Sequence, residues 1–395
     1  MKKILLVALA TMSLVSCSND EVMEIKQDVI SFDAVTDNAS RAATNYSSSE
    51  KPETFIVYAV HTDSEGNKKM YIPGVGVTKK GEKYDFSNGE TYYWPGEGTL
   101  TFYAIVPPEH YISNEGEFDP ESGVTNQPMY RWYGFDENLE NPQIAFVQPF
   151  VSEMEKNAPE YGHDLIYAVK AGLSKPAADA INKTVTLNFR HACAQLVINA
   201  INTIPNNIYV EISSVSFWGT VCDGRFSLPN ESTDANVVDN NGVLANQGTW
   251  TSAYNLELYQ IIEGLNIKLA DDEYVDVAVD EKAIMAIPFI YQADDDNDET
   301  TYTDIYGKEK QGLTLCVNYK VYNISDPTKG YQEGVDALMY DYSTTAKKFP
   351  LDATWEQGKK YIYTLKFGDL EPISLDITVD NFIDGSTKVV SAEEE

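Results

Sequence analysis

Short stretches in which apolar and polar residues alternate recur along nearly the whole chain, and this pattern restricts the fold more than any other feature. Near the start, Ile30, Phe32 and Ala34 alternate with Ser31 and Asp33. A period of two places apolar side chains on one face of a strand. No long segment carries the 3.6-residue period of an amphipathic helix. The sequence therefore predicts an all-β protein.

Further predicted strands follow at regular spacing, with polar loops between them. They are Phe55–Val60, Leu100–Val106, Leu165–Lys170, Thr184–Phe189, Gln195–Ile201, Tyr209–Trp218, Ala283–Ile290, Thr314–Asn323 and Tyr361–Phe367. Many short, evenly spaced strands are typical of β-sandwiches with Greek-key-type connections. The chain has 395 residues, which exceeds one typical domain. We therefore predict two consecutive β-sandwich domains with a boundary near 189–195. The aromatic and poorly periodic segment 109–161 is predicted to be an elaborated loop region.

The chain is strongly acidic. It has 61 Asp and Glu residues against 29 Lys and Arg residues, which gives a formal net charge of −32. Such a charge repels nucleic acid and anionic lipid headgroups, so neither is expected as a partner. Hydrophobic residues make up 43% of the chain, which is enough for folded cores. The acidity therefore indicates solubility rather than disorder.

Cysteine and histidine residues are too few and too widely spaced to indicate a metal site or a disulfide framework. After Cys17 only Cys193, Cys222 and Cys316 remain, without a CxxC pair, although one disulfide is compatible with an oxidising compartment. Cys193 and Cys316 lie in apolar strand-like runs and are predicted to be buried. The four histidines lack metal-ligand spacing, and the acidic segment 294–299 lacks the glycine and distal glutamate of an EF-hand loop. We expect no metal and no cofactor.

The N-terminus has the form of a lipoprotein signal peptide. Lys2 and Lys3 precede an apolar run at 4–10, and a small residue stands directly before Cys17. We expect cleavage before Cys17 and attachment of lipid, including palmitate-type chains, which would tether the mature chain to a membrane. The apolar run is too short for a membrane-spanning helix. The acidic patch 18–21 is either a surface-export signal or a solvated tether.

Several local patterns occur in an order that is more specific than any one of them. They are FIVYA at 55–59, YYWP at 92–95, LTFYA at 100–104, DLIYA at 164–168, VTLNFRHA at 185–192, YIYTL at 361–365 and ITVDNF at 377–382. Together with the lipoprotein signal and Arg41, this order resembles the fimbrillin-like proteins of Bacteroidetes, the subunits of protease-assembled (type V) pili. The resemblance covers nearly the whole mature chain.

The resemblance implies two consecutive transthyretin-like β-sandwich domains and an assembly route that depends on proteolysis. The subunit would be exported as an outer-membrane, cell-surface lipoprotein, and an arginine-specific protease would cut it near the N-terminus. Arg41 matches the cleaved position and Ala42 the new N-terminus. The implied segments are signal peptide 1–16, lipid tether and removable first strand 17–41, first domain 42–190, second domain 191–387 and acidic tail 388–395.

Two features depart from the family pattern. Phe382 stands where tryptophan is more frequent. The long aromatic segment 109–161 suits an accessory or tip subunit better than a stalk subunit.

Cleavage after Arg41 would detach the first strand, with its apolar residues Ile30, Phe32 and Ala34, and leave an unpaired edge beside an apolar trough. Such an edge templates the addition of a strand from another subunit. The last strand offers the required alternation in these residues: Leu375, Ile377 and Val379. We therefore expect a fimbrial subunit that polymerises by strand exchange, with other pilin subunits and an arginine-specific protease as partners. The alternatives are that Arg41 is a linker residue and that the last strand stays in its own domain.

An enzyme is the first rival class, and the sequence argues against it. The chain contains no GxSxG, HExxH or glycine-rich phosphate loop. Carboxylates are so numerous that pairs such as Asp271 and Asp272 carry no information. His191 lies in a strand-like run and is predicted to be packed and hydrogen-bonded rather than catalytic. We therefore assign no catalytic residue.

The second rival class is a surface lipoprotein that binds a glycan or a host protein without polymerising. Tyr130, Trp132 and Tyr133 would stack on sugar rings if they were exposed. In a strand, such residues are more often part of the core or of a sheet face. Trp94 and Trp250 present the same alternatives. Adhesion and membership of a pilus are compatible, since a tip subunit can do both.

Overall fold

The computed structural model describes most of the chain in separate ranges. They are residues 28–36, 52–81, 83–106, 139–147, 164–180, 183–221, 223–233, 245–254, 258–262, 265–278, 284–291, 301–303, 309–311, 313–368, 374–381 and 388–390. The regular structure within these ranges is all β, without a helix, so the predicted all-β class is confirmed. Accordingly, these ranges hold no helix with the length and hydropathy needed to cross a membrane.

The first part of the chain forms strands that are mostly long and closely spaced. They are β1 (Phe32–Thr36), β2 (Thr54–Thr62), β3 (Lys68–Lys80), β4 (Lys83–Phe86), β5 (Thr99–Val106), β6 (Gln143–Val147), β7 (Ile166–Leu173), β8 (Val185–His191), β9 (Ala194–Asn202), β10 (Ile208–Thr220), β11 (Asp223–Ser227), β12 (Thr249–Tyr254) and β13 (Leu258–Ile262).

The remaining strands include several that are only two or three residues long. They are β14 (Ile267–Leu269), β15 (Val275–Ala278), β16 (Ile284–Ala286), β17 (Ile290–Tyr291), β18 (Thr301–Thr303), β19 (Glu309–Gln311), β20 (Thr314–Asn323), β21 (Ala337–Asp341), β22 (Lys347–Pro350), β23 (Ala353–Thr354), β24 (Lys359–Phe367), β25 (Ser374–Asn381) and β26 (Lys388–Val390).

Seven of these strands close into one sheet in the order β1-β4-β3-β2-β5-β7-β8. β1 closes the sheet because it pairs with β8 on one side and with β4 on the other. Alternation along β2 turns Phe55, Val57 and Ala59 into the enclosed core, which we call the first core. Strand spacing alone does not distinguish such a closed sheet from the predicted open sandwich.

Two six-stranded sheets, built from strands after β8, pack face to face. One has the order β15-β9-β24-β25-β26, with β16 also paired to β9, and the other has β13-β10-β20-β21, with β14 on β10 and β22 on β20. Phe217 of β10 meets Tyr363 of β24 with ring centroids 5.3 Å apart, and Tyr319 of β20 meets Phe367 of β24 at 5.2 Å. These aromatic rings belong to the apolar cluster between the two sheets, which we call the second core.

The outer face of the closed sheet also packs against the second core. Tyr103 of β5 and Tyr167 of β7 belong to the same apolar cluster as Leu196 of β9. A three-stranded sheet, β12-β11-β6, lies at this junction, and Phe226 of β11 packs against Tyr167 with centroids 4.7 Å apart. β6 lies within 109–161, so the prediction of a loop is wrong for Gln143–Val147, because these residues pair with a strand far along the chain.

Most predicted strands coincide with observed ones, and two differences have local causes. The predicted strand 283–290 is divided into β16 and β17 because Pro288 lies between them and has no N–H for a ladder. The hairpin β3–β4 was not predicted, since its lysine and glycine residues obscure the alternation. Cys193 and Cys316 are both buried, as predicted.

Candidate functional site

The backbone of β1, which is the predicted removable strand, is paired unequally on its two sides. Phe32 to Thr36 run parallel to β8, in register with Val185 to Phe189. On the other side, the single pair Phe32–Tyr84 joins β1 to β4. β1 therefore depends mainly on one neighbour for its backbone hydrogen bonds.

The residues just before β1 are also anchored through the backbone. The N–H of Ile30 donates to the carbonyl of Tyr92 at 2.9 Å, and the N–H of Trp94 donates to the carbonyl of Asp28 at 3.0 Å. The N–H of Val185 donates to the carbonyl of Ser31 at 2.8 Å. The segment 28–31 thus extends the contact of β1 toward the loop before β5 and the start of β8.

The side chains of β1 fill an apolar trough in the first core. Ile30, Phe32 and Ala34 are 2%, 2% and 0% exposed. The Phe32 ring meets the ring of Phe102 edge-on at 5.5 Å. Two further edge-to-face contacts surround Phe32, with Phe86 at 5.7 Å and Phe55 at 6.0 Å. Burial of one such ring stabilises a fold by about 1.5–3 kcal/mol, and each aromatic pair adds about 0.5–1.5 kcal/mol.

An ion-pair cluster lies at the N-terminal end of this segment. The carboxylate of Asp28 lies 3.1 Å from Lys183 Nζ and 3.5 Å from Lys175 Nζ. The hydrogen bond from Lys183, together with attraction to the charges of both lysines, lowers the pKa of Asp28. Because all three side chains contact solvent, the cluster tethers the segment only weakly.

β25, the predicted donor strand, is paired on both sides within its own sheet. It runs antiparallel to β24 from Ser374 to Asn381, and Ile377 to Val379 also pair with β26. Leu375 and Ile377 are half-buried and pack against the second core. β26 lies in the segment 388–395 that was predicted to be an acidic tail, and its residues Lys388–Val390 form a strand.

Comparison with protein-family models identifies the family of this chain. A profile described as fimbrillin-like matches residues 40–381, which is most of the chain. The chain belongs to the fimbrillin-like family. The match begins after β1, so the buried strand precedes the part of the chain that the family profile covers. Among curated proteins, none matches this sequence.

Solved structures similar to this fimbrillin-like chain share little sequence with it. One is a proposed cell adhesion protein from Bacteroides uniformis, with 13% identity, coverage of 90% of this chain and 99% of that chain, and a TM-score of 0.43. A fimbrial assembly protein from Parabacteroides distasonis has 11% identity, covers 92% and 99%, and has a TM-score of 0.35. The fimbrial anchor protein Mfa2 from Porphyromonas gingivalis has 10% identity, covers 89% and 98%, and has a TM-score of 0.29.

The structure brings together only some of the residues that the sequence nominated. Ile30, Phe32 and Ala34 share one buried face of the segment at β1, whereas the predicted donor strand with Leu375, Ile377 and Val379 lies in a different sheet. The other nominated residues lie outside the described residues: Cys17, Arg41, Ala42, Tyr130, Trp132 and Tyr133.

Sequence reasoning missed three aromatic or basic residues near β1 and its apolar trough: Phe86, Lys175 and Lys183. Phe86 was missed because β4 was not predicted, although Tyr84 and Phe86 already show its alternation. Lys175 and Lys183 were missed because they lie at distant positions that only the fold brings to Asp28.

The remaining candidate residues are packed side chains: His191, Trp94 and Trp250. His191 is packed and hydrogen-bonded as predicted, with Nδ1 in contact with the carboxylate of the buried Asp164. Trp94 is buried, and its ring lies 5.8 Å from that of Phe102. Trp250 is half-buried, and its Nε1 donates to the carbonyl of Ala192 at 2.6 Å.

Proposed function

We propose that this fimbrillin-like chain is a subunit of a cell-surface fimbrium that is exported as a lipoprotein through Cys17 and polymerises after cleavage at Arg41. Family membership supports a fimbrial or adhesive role and favours a structural protein over an enzyme. It also supports association with other fimbrial subunits. The proposal adds three parts to what family membership supports. They are lipid attachment to the outer membrane, cleavage by a protease and exchange of a strand.

The observation that carries the proposal is that one terminal strand plugs the first core. β1 precedes every other strand of the closed sheet in the sequence, and Arg41 follows it shortly after Thr36. A cut after Arg41 would therefore leave β1 held only by its non-covalent contacts. Its backbone depends mainly on β8, and its apolar side chains could be replaced by others of similar shape.

Loss of β1 would expose both polar and apolar surface at once. The edge of β8 would lose its parallel partner, and the trough around Phe32 would open toward Phe55 and Phe102. An extended strand from another subunit would restore backbone hydrogen bonds and apolar burial together. Such a joint should be long-lived because it recovers both the backbone hydrogen bonds and the burial of apolar side chains.

β25 of another copy has the spacing that the trough requires. Its apolar residues stand at alternate positions, and so do those of the departing segment: Leu375, Ile377 and Val379 against Ile30, Phe32 and Ala34. In the folded chain, Leu375 and Ile377 are only half-buried, so these two side chains lose less burial on release than Ile30, Phe32 and Ala34 do. The same cut would separate the chain from lipid at Cys17, so release from the outer membrane and assembly would be one event.

Limited proteolysis of the purified chain, expressed from residue 18 without the lipid, tests this proposal. Digestion with an arginine-specific protease should give a product that begins at Ala42 by mass spectrometry and forms ladders that resist dodecyl sulfate. Arg41→Lys is the matched control, since it keeps the charge and removes the cleavage site.

A peptide that spans residues 372–383 provides a second readout, because it should bind the cleaved chain and not the Arg41→Lys variant. Complete cleavage with neither ladders nor peptide capture would contradict strand exchange. Ladders formed by the Arg41→Lys variant would contradict the role of Arg41.

A further inference from the structure

A cleft of about 350 Å³ lies on the outer side of the closed sheet, away from the trough of β1. One wall is formed by outward-facing residues of β2 and β5, including Val60, Thr101 and Tyr103. The opposite wall comes from the turn before β6, at Leu139–Asn141, and from Asn230 after β11. Ligand sites frequently occupy such seams between packed units, and this volume falls within their usual range of about 300–1,000 Å³.

A salt bridge joins the two walls of the cleft. Lys68 Nζ on β3 donates to Glu140 Oε2 at 2.6 Å, and both side chains keep part of their surface exposed, 29% and 64%. The two formal charges cancel, and the other lining residues among those that the structure describes are uncharged. In a chain with a net charge of −32, a single compensated lysine does not attract an anion. The electrostatics therefore favour a neutral ligand.

The other lining groups are suited to hydroxyl groups. Asn141 and Asn230 each carry an amide that both donates and accepts hydrogen bonds. The Thr101 Oγ1 accepts a hydrogen bond from the N–H of Gly172 at 3.1 Å, and its own O–H is a potential donor to a ligand. Burial and the nearby Glu140 carboxylate raise the pKa of Tyr103 to about 12, so its hydroxyl stays neutral at physiological pH.

The wall that carries Asn230 is fixed at both ends. The N–H of Leu228 donates to the carbonyl of Pro142 at 2.9 Å, which joins the loop to the turn before β6. At the other end, the N–H of Thr233 donates to the carbonyl of Val169 at 2.9 Å. The hydroxyl of the same threonine donates to the carbonyl of Asn188 at 2.8 Å. A wall that is already ordered loses little conformational entropy when a ligand binds.

We propose that this cleft binds a neutral hexopyranose, either free or as the terminal unit of a glycan. A neutral sugar ring presents hydroxyl groups around its rim, which match the amides, hydroxyls and compensated ion pair that line the cleft. This gives the chain an adhesive site that does not depend on strand exchange.

Saturation-transfer NMR on the intact soluble chain tests the cleft directly. The probes are glucose, galactose, mannose, fucose and N-acetylglucosamine, with glucuronate and N-acetylneuraminate as charged counterparts. At least one neutral sugar should bind saturably, and its affinity should fall at least tenfold in Asn230→Ala. Asn206→Ala removes an exposed turn asparagine outside the cleft and should bind as the parent does. Circular dichroism verifies that both variants are folded.

Three results would overturn the inference: no binding of any neutral sugar, equal binding by Asn230→Ala and the parent, or binding of the acidic sugars alone. A second position keeps the test independent of one side chain, since Glu140→Gln breaks the charge balance and should also weaken binding. Asn230→Ala should still form ladders after cleavage at Arg41. Loss of sugar binding with intact ladders therefore concerns the cleft, whereas loss of ladders with intact sugar binding concerns strand exchange alone.

Discussion

β1 and β25 are similar in sequence pattern and differ in how the fold holds them. Both present apolar residues at alternate positions. β1 has a long pairing on one side only, yet the apolar residues of its segment are almost completely buried in the first core. β25 is paired on both sides, yet Leu375 and Ile377 are only half-buried on the second core.

This difference separates two contributions to stability that usually occur together in a strand, namely apolar burial and backbone hydrogen bonding. β1 is held chiefly by apolar burial, whereas β25 is held chiefly by its backbone ladders. A strand held by burial leaves a specific apolar trough when it is removed. A strand held by ladders can move to another edge and recover the same hydrogen bonds there. In the proposed function, β1 is accordingly the plug and β25 the donor strand.

The largest expected effect is the loss of the ring at the centre of β1. Phe32→Ala removes three aromatic contacts and leaves a cavity, so we expect the free energy of unfolding to fall by about 3–5 kcal/mol. Urea denaturation followed by tryptophan fluorescence measures this change. Phe32→Leu, which keeps most of the volume, should cost clearly less. If Phe32→Ala lowered the free energy of unfolding less than Ile377→Ala does, apolar burial would not be the main contribution that holds β1.

A smaller loss is expected for the equivalent truncation in β25. Ile377→Ala removes a half-buried side chain, so the free energy of unfolding should fall by about 1–2 kcal/mol in the same assay. Thr378→Ala, at the next position of the same strand, serves as the control and should change stability by no more than about 0.5 kcal/mol. An Ile377→Ala cost as large as that of Phe32→Ala would show that β25 is also held mainly by burial.

The smallest effect is expected at the ion-pair cluster beside β1. Lys183→Met removes the hydrogen bond that lowers the pKa of Asp28, so this pKa should rise toward its ordinary value of 3.8. A carboxyl group with a lowered pKa stabilises the fold at pH values above its ordinary pKa. This contribution disappears as the pH falls through the lowered pKa. The variant should therefore lose stability at neutral pH and match the parent in strong acid.

Carboxyl NMR titration and urea denaturation at several pH values check this prediction. Lys366→Met, which removes the contact between Lys366 and Asp376 of β25, is the matched control at the other strand. An unchanged Asp28 titration in Lys183→Met would show that the lysine does not hold the end of the segment.

The sequence predicted the strands well because alternation is a local property. The pattern at 30–34 and the long apolar runs of β9 and β20 are visible without any knowledge of their neighbours. It failed where local signals conflict or are weak. Pro288 divides a predicted strand, the lysines and glycines of β3 and β4 conceal a hairpin, and β6 is defined by its partner β11 rather than by its own pattern.

The candidate site was predicted in its residues and not in its surroundings. The sequence nominated Ile30, Phe32 and Ala34 as one apolar face, and the structure buries that face. The Lys183 contact and the rings around Phe32 could not be predicted, because they come from strands that are separated along the chain. Neither cleavage after Arg41 nor lipid attachment at Cys17 is addressed by the described residues, so both remain part of the proposed function.

By itself, the sequence determined the all-β class, the position of most strands and which side chains face a core, because each depends on a spacing of two residues. Only the tertiary structure decided that β1 closes a sheet, since Ser31 and Thr184 meet across 153 positions of the chain. It also decided that a lysine on β3 faces a glutamate before β6 across a neutral cleft. Such pairings depend on which surfaces pack together over the whole chain, and no local pattern encodes them.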